Sequence, residues 1–158
     1  MELAEESAVQ FIEPIDEPGQ PENYKARNAH RIGGLTMPFT GLNNELDGEG
    51  VSVMLQDDGI VGPHIDYAGR IGAQYTTINN GDHGDHVGGT IMGAGNLDPL
   101  AVGMAPGATM YVYDAAGQGY PGFDSIANHY TKHDIKITST SYSNGQNAGY
   151  TSFARELD

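Results

Sequence analysis

The chain has 158 residues, no cysteine, and a formal net charge of −14 from 21 acidic and 7 basic side chains. This length suits one domain with a real core, the lack of cysteine excludes disulfides and thiolate metal sites, and the acidic balance argues against nucleic acid or an anionic membrane as the main partner. No apolar run approaches the roughly 20 residues of a membrane span, and the acidic N-terminus lacks the apolar core of a signal peptide, so we expect any export signal to have been removed or to lie outside these residues.

The first 30 residues are predicted to form an acidic arm. Prolines interrupt them repeatedly, and the pattern supports one short strand, over 9–15, in an otherwise extended segment. We expect residues 1–30 to be an N-terminal arm or the remnant of a propeptide, and residues 31–158 to form the main domain.

Segments of strand and helix character alternate along the rest of the chain. Apolar and β-branched residues predict strands over 51–56, 109–113 and 135–141. Small or amphipathic segments predict helices over 87–94 and 123–133. Strands that alternate with helices are typical of α/β folds, so we expect a parallel sheet.

The first predicted strand stops at Asp57, and a glycine-rich stretch over 82–90 contains His83. In open α/β sheets, ligands bind beyond the C-terminal ends of the strands, where Asp57 would lie. A carboxylate that accepts from one imidazole nitrogen fixes the tautomer of the ring, and the other nitrogen can then take a proton from a nucleophile. The alternatives are that the aspartate only forms a turn with the following glycine and that the histidine is structural.

A metal site is another interpretation of the same stretch. His83 and His86 are three positions apart, close to one helical turn, and Asp82 and Asp85 are plausible ligands. However, the spacing differs from the His-Glu-x-x-His of zinc peptidases, and a helix that begins at Gly84 would point Asp85 away from His83. These points favour the acid–base pair over the metal site.

Four segments together resemble the subtilisin-like serine proteases, or subtilases. Residues 51–60 resemble an apolar strand followed by Asp-(Thr/Ser)-Gly-Ile, and residues 83–90 resemble the family motif His-Gly-Thr-His-Val-Ala-Gly-Thr. Residues 103–106 are similar to its Gly-Val-Ala-Pro segment, and residues 139–143 lie where the family has Asn-Met-Ser-Leu-Gly. The resemblance runs in the right order over about 48–145.

This resemblance implies an α/β fold with a parallel sheet and helices on both faces, incomplete in this chain, with residues 31–158 as the N-terminal portion of a catalytic domain. It implies a secreted or cell-surface serine endopeptidase that acts on peptide or protein substrates. Asp57 would orient the histidine, His83 would be the general base and acid, and His86 would be structural. An extended substrate would bind as an added strand. The residues that would contact it are Ser141, Tyr142, Ser143, Gly119 and Tyr120.

Two departures from the family pattern lie close to the histidine. Asp58 and Asp85 stand where the family has hydroxyl residues. Carboxylates near an imidazole favour its protonated form, so we expect both to raise the pKa of His83 and to shift activity upward in pH.

No cofactor is predicted to be required. The loop over 96–99 stands where some subtilases bind calcium, but it offers one free carboxylate and a proline to an ion that takes six or more oxygens. A structural calcium ion is therefore compatible with the family and unsupported by this loop.

The family's nucleophile lies in a Gly-Thr-Ser-Met-Ala motif, and none of the serines of this chain has those neighbours. Loss of the serine from a subtilase triad costs roughly 10⁶ in turnover, so we expect the chain alone to be nearly inert. We expect the serine on a C-terminal chain of the same protease, separated by a nick after Asp158, with a truncated copy as the alternative. A catalytically inactive module that binds peptides is the alternative function.

Overall fold

The computed structural model describes residues 23–36, 46–114 and 123–141. Within these ranges the chain forms three α-helices and four β-strands. In chain order they are α1 (Asn23–Ala29), β1 (Ser52–Asp57), β2 (Ile71–Gln74), α2 (His83–Met92), β3 (Thr109–Asp114), α3 (Phe123–His133) and β4 (Ile135–Thr140).

The four strands form one parallel sheet in the order β2-β3-β1-β4. The central strand β1 pairs with β3 on one side, where Asp57 lies opposite Asp114, and with β4 on the other, where Gln56 lies opposite Thr140. Because the strands are parallel and in this register, their C-terminal ends meet at one edge of the sheet, the C-terminal edge.

Helices cover both faces of this sheet, as the family resemblance implied. On one face α2 packs over a buried cluster, and Gly88 lets the helix approach so closely that a Cβ there would lie 3.0 Å from Met110 Cε. On the other face α3 contributes Tyr130 to a second cluster. The buried residues of the two clusters are Leu55, Val61, Tyr67, Met92, Met110 and Val112 under α2, and Met54, Tyr113 and Ile135 under α3. Burial of β1 and β3 on both faces explains their nearly continuous apolar sequences.

The segment that resembles Gly-Val-Ala-Pro closes the C-terminal end of α2. The backbone N–H of Met104 donates to the carbonyl of Thr90 (3.0 Å), and that of Ala105 donates to the carbonyl of Ile91 (2.7 Å). The last carbonyls of a helix lack partners within the helix, so these bonds satisfy groups that would otherwise be unpaired. A Cβ at Gly103 would lie 2.6 Å from the backbone nitrogen of Gly93, so the approach requires glycine.

The structure differs from the sequence prediction in three elements. The helix predicted over 87–94 already begins at His83, and the short edge strand β2 was not predicted. In place of a fully extended arm up to residue 30, the chain forms α1, whose Arg27 donates to the carbonyl of Gly103 and to Thr36 Oγ1. The strand predicted over 9–15 lies outside the described residues.

Within the described ranges, no helix has both the length and the apolar character to cross a bilayer.

Candidate active site

Asp57 lies at the C-terminal edge of the sheet because it is the last residue of the central strand. Its side chain is only 3% exposed. One carboxylate oxygen, Oδ1, accepts a hydrogen bond from the backbone N–H of Asp58 at 2.9 Å, which fixes the orientation of the group. The central strand therefore presents a buried, oriented carboxylate at the edge where α/β sheets bind ligands.

His83 is the first residue of α2, and its imidazole reaches this carboxylate. The His83 Nδ1 atom lies 2.7 Å from Asp57 Oδ1, a short charge-assisted hydrogen bond. An ionised carboxylate can only accept, so Nδ1 donates and the neutral ring carries its proton there. The side chain of His83 is 56% exposed, which leaves the opposite side of the ring, with Nε2, accessible to another group. The structure thus brings together the acid and the histidine that the sequence paired.

The pKa of His83 is raised above the ordinary value of an imidazole. The hydrogen bond to Asp57 is the largest cause and the negative charge of Asp57 is the next; desolvation opposes them, and the charge of Asp58 makes the smallest contribution, which also raises the pKa. Asp85 is not among the causes. Of the two carboxylates expected from the sequence to raise this pKa, the structure supports Asp58 and not Asp85.

Asp85 is directed elsewhere by two hydrogen bonds. Its Oδ1 accepts from the backbone N–H of Gly62 at 2.8 Å and from the hydroxyl of Tyr67 at 2.9 Å. Burial and the contact with Asp85 together raise the pKa of the Tyr67 phenol, so the hydroxyl stays a donor. Asp85 therefore links α2 to the loop that follows β1, on a side of the helix away from the imidazole of His83.

Asp58 meets the N-terminus of α2 directly. Its Oδ2 accepts from the backbone N–H of His83 at 3.0 Å, and its Oδ1 accepts from that of Gly84 at 2.8 Å. The residue before the helix, Asp82, makes no side-chain capping bond. From the sequence, Asp58 was noted only as a departure from the family pattern. Its hydrogen-bond partners lie 25 and 26 residues further along the chain, where no local pattern indicates them.

The two histidines of the glycine-rich stretch face different surroundings, although their spacing suggested a shared face. His83 bonds to Asp57, whereas His86 is exposed and lines a cavity of about 510 Å³ together with Arg27, His64 and Tyr67. That cavity lies between α1 and α2, and neither Asp57 nor His83 lines it. In the part of the chain that the structure describes, no group of three or more histidine and acidic side chains converges as a metal site would.

The loop expected to be a poor calcium cage uses its carboxylate in a turn. Asp98 Oδ1 accepts from the backbone N–H of Leu100 at 2.9 Å and so caps the short 3₁₀ turn Pro99–Ala101. The expectation that no cofactor is required stays a prediction.

Among the residues predicted to contact substrate, Ser141 is described and the others are not. Ser141 is exposed and directly follows β4, so it lies at the C-terminal edge of the sheet as Asp57 does. Tyr142, Ser143, Gly119 and Tyr120 lie outside the described residues.

One acidic residue at this edge was not singled out from the sequence. Asp114 ends β3 opposite Asp57 and is fully buried. The signal was present, because Asp114 follows a strand run over 109–113 in the same way that Asp57 follows the run over 51–56.

Comparison with known proteins finds a family match over the part of the chain that carries Asp57 and His83. The sequence profile described as "Subtilase family" matches residues 48–157, which is more than half of the chain. A curated relative, the "Extracellular serine proteinase" of Thermus sp. (strain Rt41A), is 32% identical over 118 residues, which cover 65% of this chain and 27% of the relative. The chain thus spans about a quarter of the length of that proteinase.

Proposed function

Because the chain belongs to the subtilase family of serine peptidases, we propose that it supplies the aspartate and the histidine of an Asp–His–Ser triad that hydrolyses peptide bonds. The observation that carries this proposal is the 2.7 Å hydrogen bond between Asp57 Oδ1 and His83 Nδ1 at the C-terminal edge of the sheet. The serine is supplied by polypeptide outside these 158 residues.

In this mechanism Asp57 holds the imidazole in one tautomer and stabilises the imidazolium that forms during the reaction. With Nδ1 donating to Asp57, the Nε2 atom of His83 takes the proton of the serine hydroxyl and later gives it to the leaving amine. Placement at a strand end and a helix start supports this role, because both groups are held by rigid elements rather than by free loops.

Substrate binding is proposed at the same edge. An extended peptide would lie beside the segment that begins at Ser141, with its backbone hydrogen bonded as an added strand, and the exposure of Ser141 next to β4 supports this placement. Tyr142, Ser143, Gly119 and Tyr120 complete the proposed contacts by resemblance to the family. We propose that the reaction needs no cofactor and that the protein acts outside the cell, as the name of the Thermus relative states for that proteinase.

A fluorophosphonate probe tests the proposal, because it reacts with a serine that a histidine base has activated. In the native preparation, with any polypeptide that copurifies, we expect label on the polypeptide that carries the serine, and intact-mass analysis identifies whether that polypeptide is separate. His83→Ala should abolish labelling. His30→Ala, which removes another exposed histidine from the turn after α1, should leave it intact.

The alternative function is a module that binds peptides without hydrolysing them. A native preparation that binds peptide but shows no fluorophosphonate label on any polypeptide would favour this alternative. That result would overturn the proposed hydrolytic activity.

A further inference from the structure

The imidazole of His83 is held by one residue, and its backbone is held by the next residue of the chain. Asp57 bonds to the ring, while Asp58 accepts from the backbone N–H of His83 and of Gly84. These two N–H groups begin a helix, where they have no partner within the helix itself. Since Asp82 makes no side-chain cap, the cap of α2 comes from Asp58, the residue that directly follows the strand carrying the acid of the pair.

Glycines on both sides leave the space that this carboxylate occupies. A Cβ at Gly81 would lie 2.6 Å from Asp58 Oδ2, and a Cβ at Gly84 would lie 2.8 Å from Asp58 Oδ1. Both distances are too short for a real side chain, so the Asp58 carboxylate fits because these two positions lack one. Gly81 and Gly84 therefore allow the approach of Asp58 to the helix.

Asp58 is itself fixed at its backbone. Its N–H donates to Asp57 Oδ1 at 2.9 Å, and its carbonyl accepts from the N–H of Asn80 at 3.2 Å. A displacement of Asp58 would thus disturb both the carboxylate of Asp57 and the start of α2.

We propose that Asp58 is a positioning residue, which sets the imidazole of His83 against Asp57 by capping the first two backbone N–H groups of α2. A carboxylate suits this task better than a hydroxyl, because its two oxygens span two N–H groups at once. The catalytic meaning of this role rests on the proposed function, but the capping geometry does not.

The charge of Asp58 also acts on the ring. It adds to the raised pKa of His83, after the larger contributions of Asp57. The other ionisable groups around this helix start are Asp82, Asp85 and His86 on the helix segment, and Asp114 on β3 beside β1. None of these four is among the causes of the shift, so Asp57 and Asp58 are the carboxylates whose charge acts on the pKa of the ring.

Amide hydrogen exchange tests the cap. Protection of the His83 and Gly84 N–H groups depends on Asp58, because no helical carbonyl bonds to them. In Asp58→Ala we expect their exchange to become roughly fivefold to tenfold faster than any change in global unfolding accounts for. Asp58→Asn should retain part of the protection through its one carbonyl oxygen. A serine at this position, Asp58→Ser, should protect one N–H and expose the other.

Asp85→Asn is the matched control, since Asp85 is a carboxylate of the same helix that bonds to Gly62 and Tyr67 instead. It should leave the exchange of His83 and Gly84 and the pKa of His83 unchanged. NMR titration of the imidazole should show a lower pKa in both Asp58→Ala and Asp58→Asn. If the exchange rates in Asp58→Ala and Asp58→Asn match those of Asp85→Asn, the positioning role is wrong.

Kinetics connect the cap to the reaction when the serine-bearing polypeptide is present. Asp58→Ala should lower kcat by roughly tenfold to a hundredfold with little change in KM, because a small misplacement of the base slows the chemical step. Partial recovery in Asp58→Asn would support positioning, and equal losses in both variants would assign the effect to charge alone and overturn it. If no polypeptide takes the fluorophosphonate label but Asp58→Ala still speeds the exchange of the His83 and Gly84 N–H groups, the proposed function is overturned and the capping role of Asp58 stands.

Discussion

The contact between Asp57 and His83 joins a buried group to an exposed one. The carboxylate is 3% exposed and the imidazole 56% exposed, so the acid is shielded while the ring can meet another molecule. Since the bond to Asp57 is the largest cause of the raised pKa of His83, the neutral ring that a general base requires is reached only at a higher pH than for a free imidazole.

Asp57→Asn separates the contributions of this contact. Loss of the carboxylate charge should lower the pKa of His83, and kcat with the serine-bearing polypeptide should fall by about 10⁴, the size known for the same change in an unrelated triad. NMR titration of the ring and steady-state kinetics provide the two measurements. Asp134→Asn, at an exposed aspartate paired with Lys136, is the control and should change neither. An unchanged pKa in Asp57→Asn would show that the contact does not govern the titration of His83.

At the scale of elements, the turn after β1 depends on a single glycine. Gly59 has φ of +145° and forms an isolated antiparallel bridge with Asn79, and a Cβ there would lie 2.2 Å from the carbonyl oxygen of Ile78. This close backbone contact sets the path of the chain from Asp57 toward α2.

Gly59→Ala should therefore lower the free energy of unfolding by roughly 2 kcal/mol or more, because it adds a clash to an unfavourable backbone conformation. Gly50→Ala is the control for conformation without a clash, since Gly50 has φ of +78° and nothing within 4 Å of the added Cβ. Its cost should be roughly 1–2 kcal/mol. Urea unfolding measures both, and equal losses would mean that the backbone near Ile78 yields to the new methyl group.

On the face of the sheet that α3 covers, two histidines of this helix pack among tyrosines. His133 Nε2 bonds to the hydroxyl of Tyr75, His129 Nδ1 lies 2.6 Å from the hydroxyl of Tyr113, and the ring of His133 stacks on Tyr111 at 4.1 Å. Desolvation, followed by neighbouring positive charge that includes Lys132, lowers the pKa of both imidazoles. The packing of α3 therefore favours neutral rings.

Acidification should loosen this helix. Because the folded pKa values of His129 and His133 lie below the ordinary value of about 6.5, the unfolded state takes up protons first as the pH falls through that value. The stability linked to these rings is present above pH 6.5 or so and is lost as the pH falls below it. The protection of α3 amides against hydrogen exchange, measured relative to the intrinsic exchange rate at each pH, should therefore fall on going from about pH 7.5 to about pH 5.

The double variant His129→Gln/His133→Gln is the comparison and should abolish most of this acid sensitivity. His83 has the opposite sign, since its folded pKa is raised and its contribution to stability is lost as the pH rises through that value. Equal acid sensitivity in the double variant and the parent would assign the effect to other groups.

The elements that the sequence predicted well are those with a long or chemically distinctive pattern. The strand that ends at Asp57 and the helix that opens at His83 combine apolar runs with a specific motif, and the family resemblance named their partnership. By contrast β2 is short and contains Gly72, which is there because a Cβ would lie 2.6 Å from the ring of Tyr111. No local pattern reveals such a contact.

Long-range polar contacts were the other limit of prediction from sequence. Asp58 follows the acid of the pair and Asp85 lies two residues after His83, and only the folded chain shows that Asp58 caps the helix while Asp85 bonds to Gly62. The number of acidic groups near a site is readable from sequence, whereas the hydrogen-bond partner of each depends on tertiary structure.

At the scale of the whole molecule, the net charge of −14 is a source of self-repulsion. Raising sodium chloride from about 0.02 M to about 0.2 M should therefore increase the midpoint of thermal unfolding, because the screening length shortens from roughly 20 Å to under 10 Å. Calcium chloride at equal ionic strength provides the control for specific binding. A clearly larger rise with calcium would indicate a specific calcium site, which the loop over 96–99 does not support.

The position of β1 in the sheet has a consequence for biosynthesis. This strand leaves the ribosome before either of its neighbours, yet Ser52 pairs with Thr109 on one side and with Ile135 on the other. Strand β1 stays unpaired until β3 and β4 have been translated, and pairing between such distant segments makes folding slow. During that interval the nascent chain exposes this apolar strand, so we expect it to depend on a chaperone or on an assisting segment more than a protein with local strand pairing does.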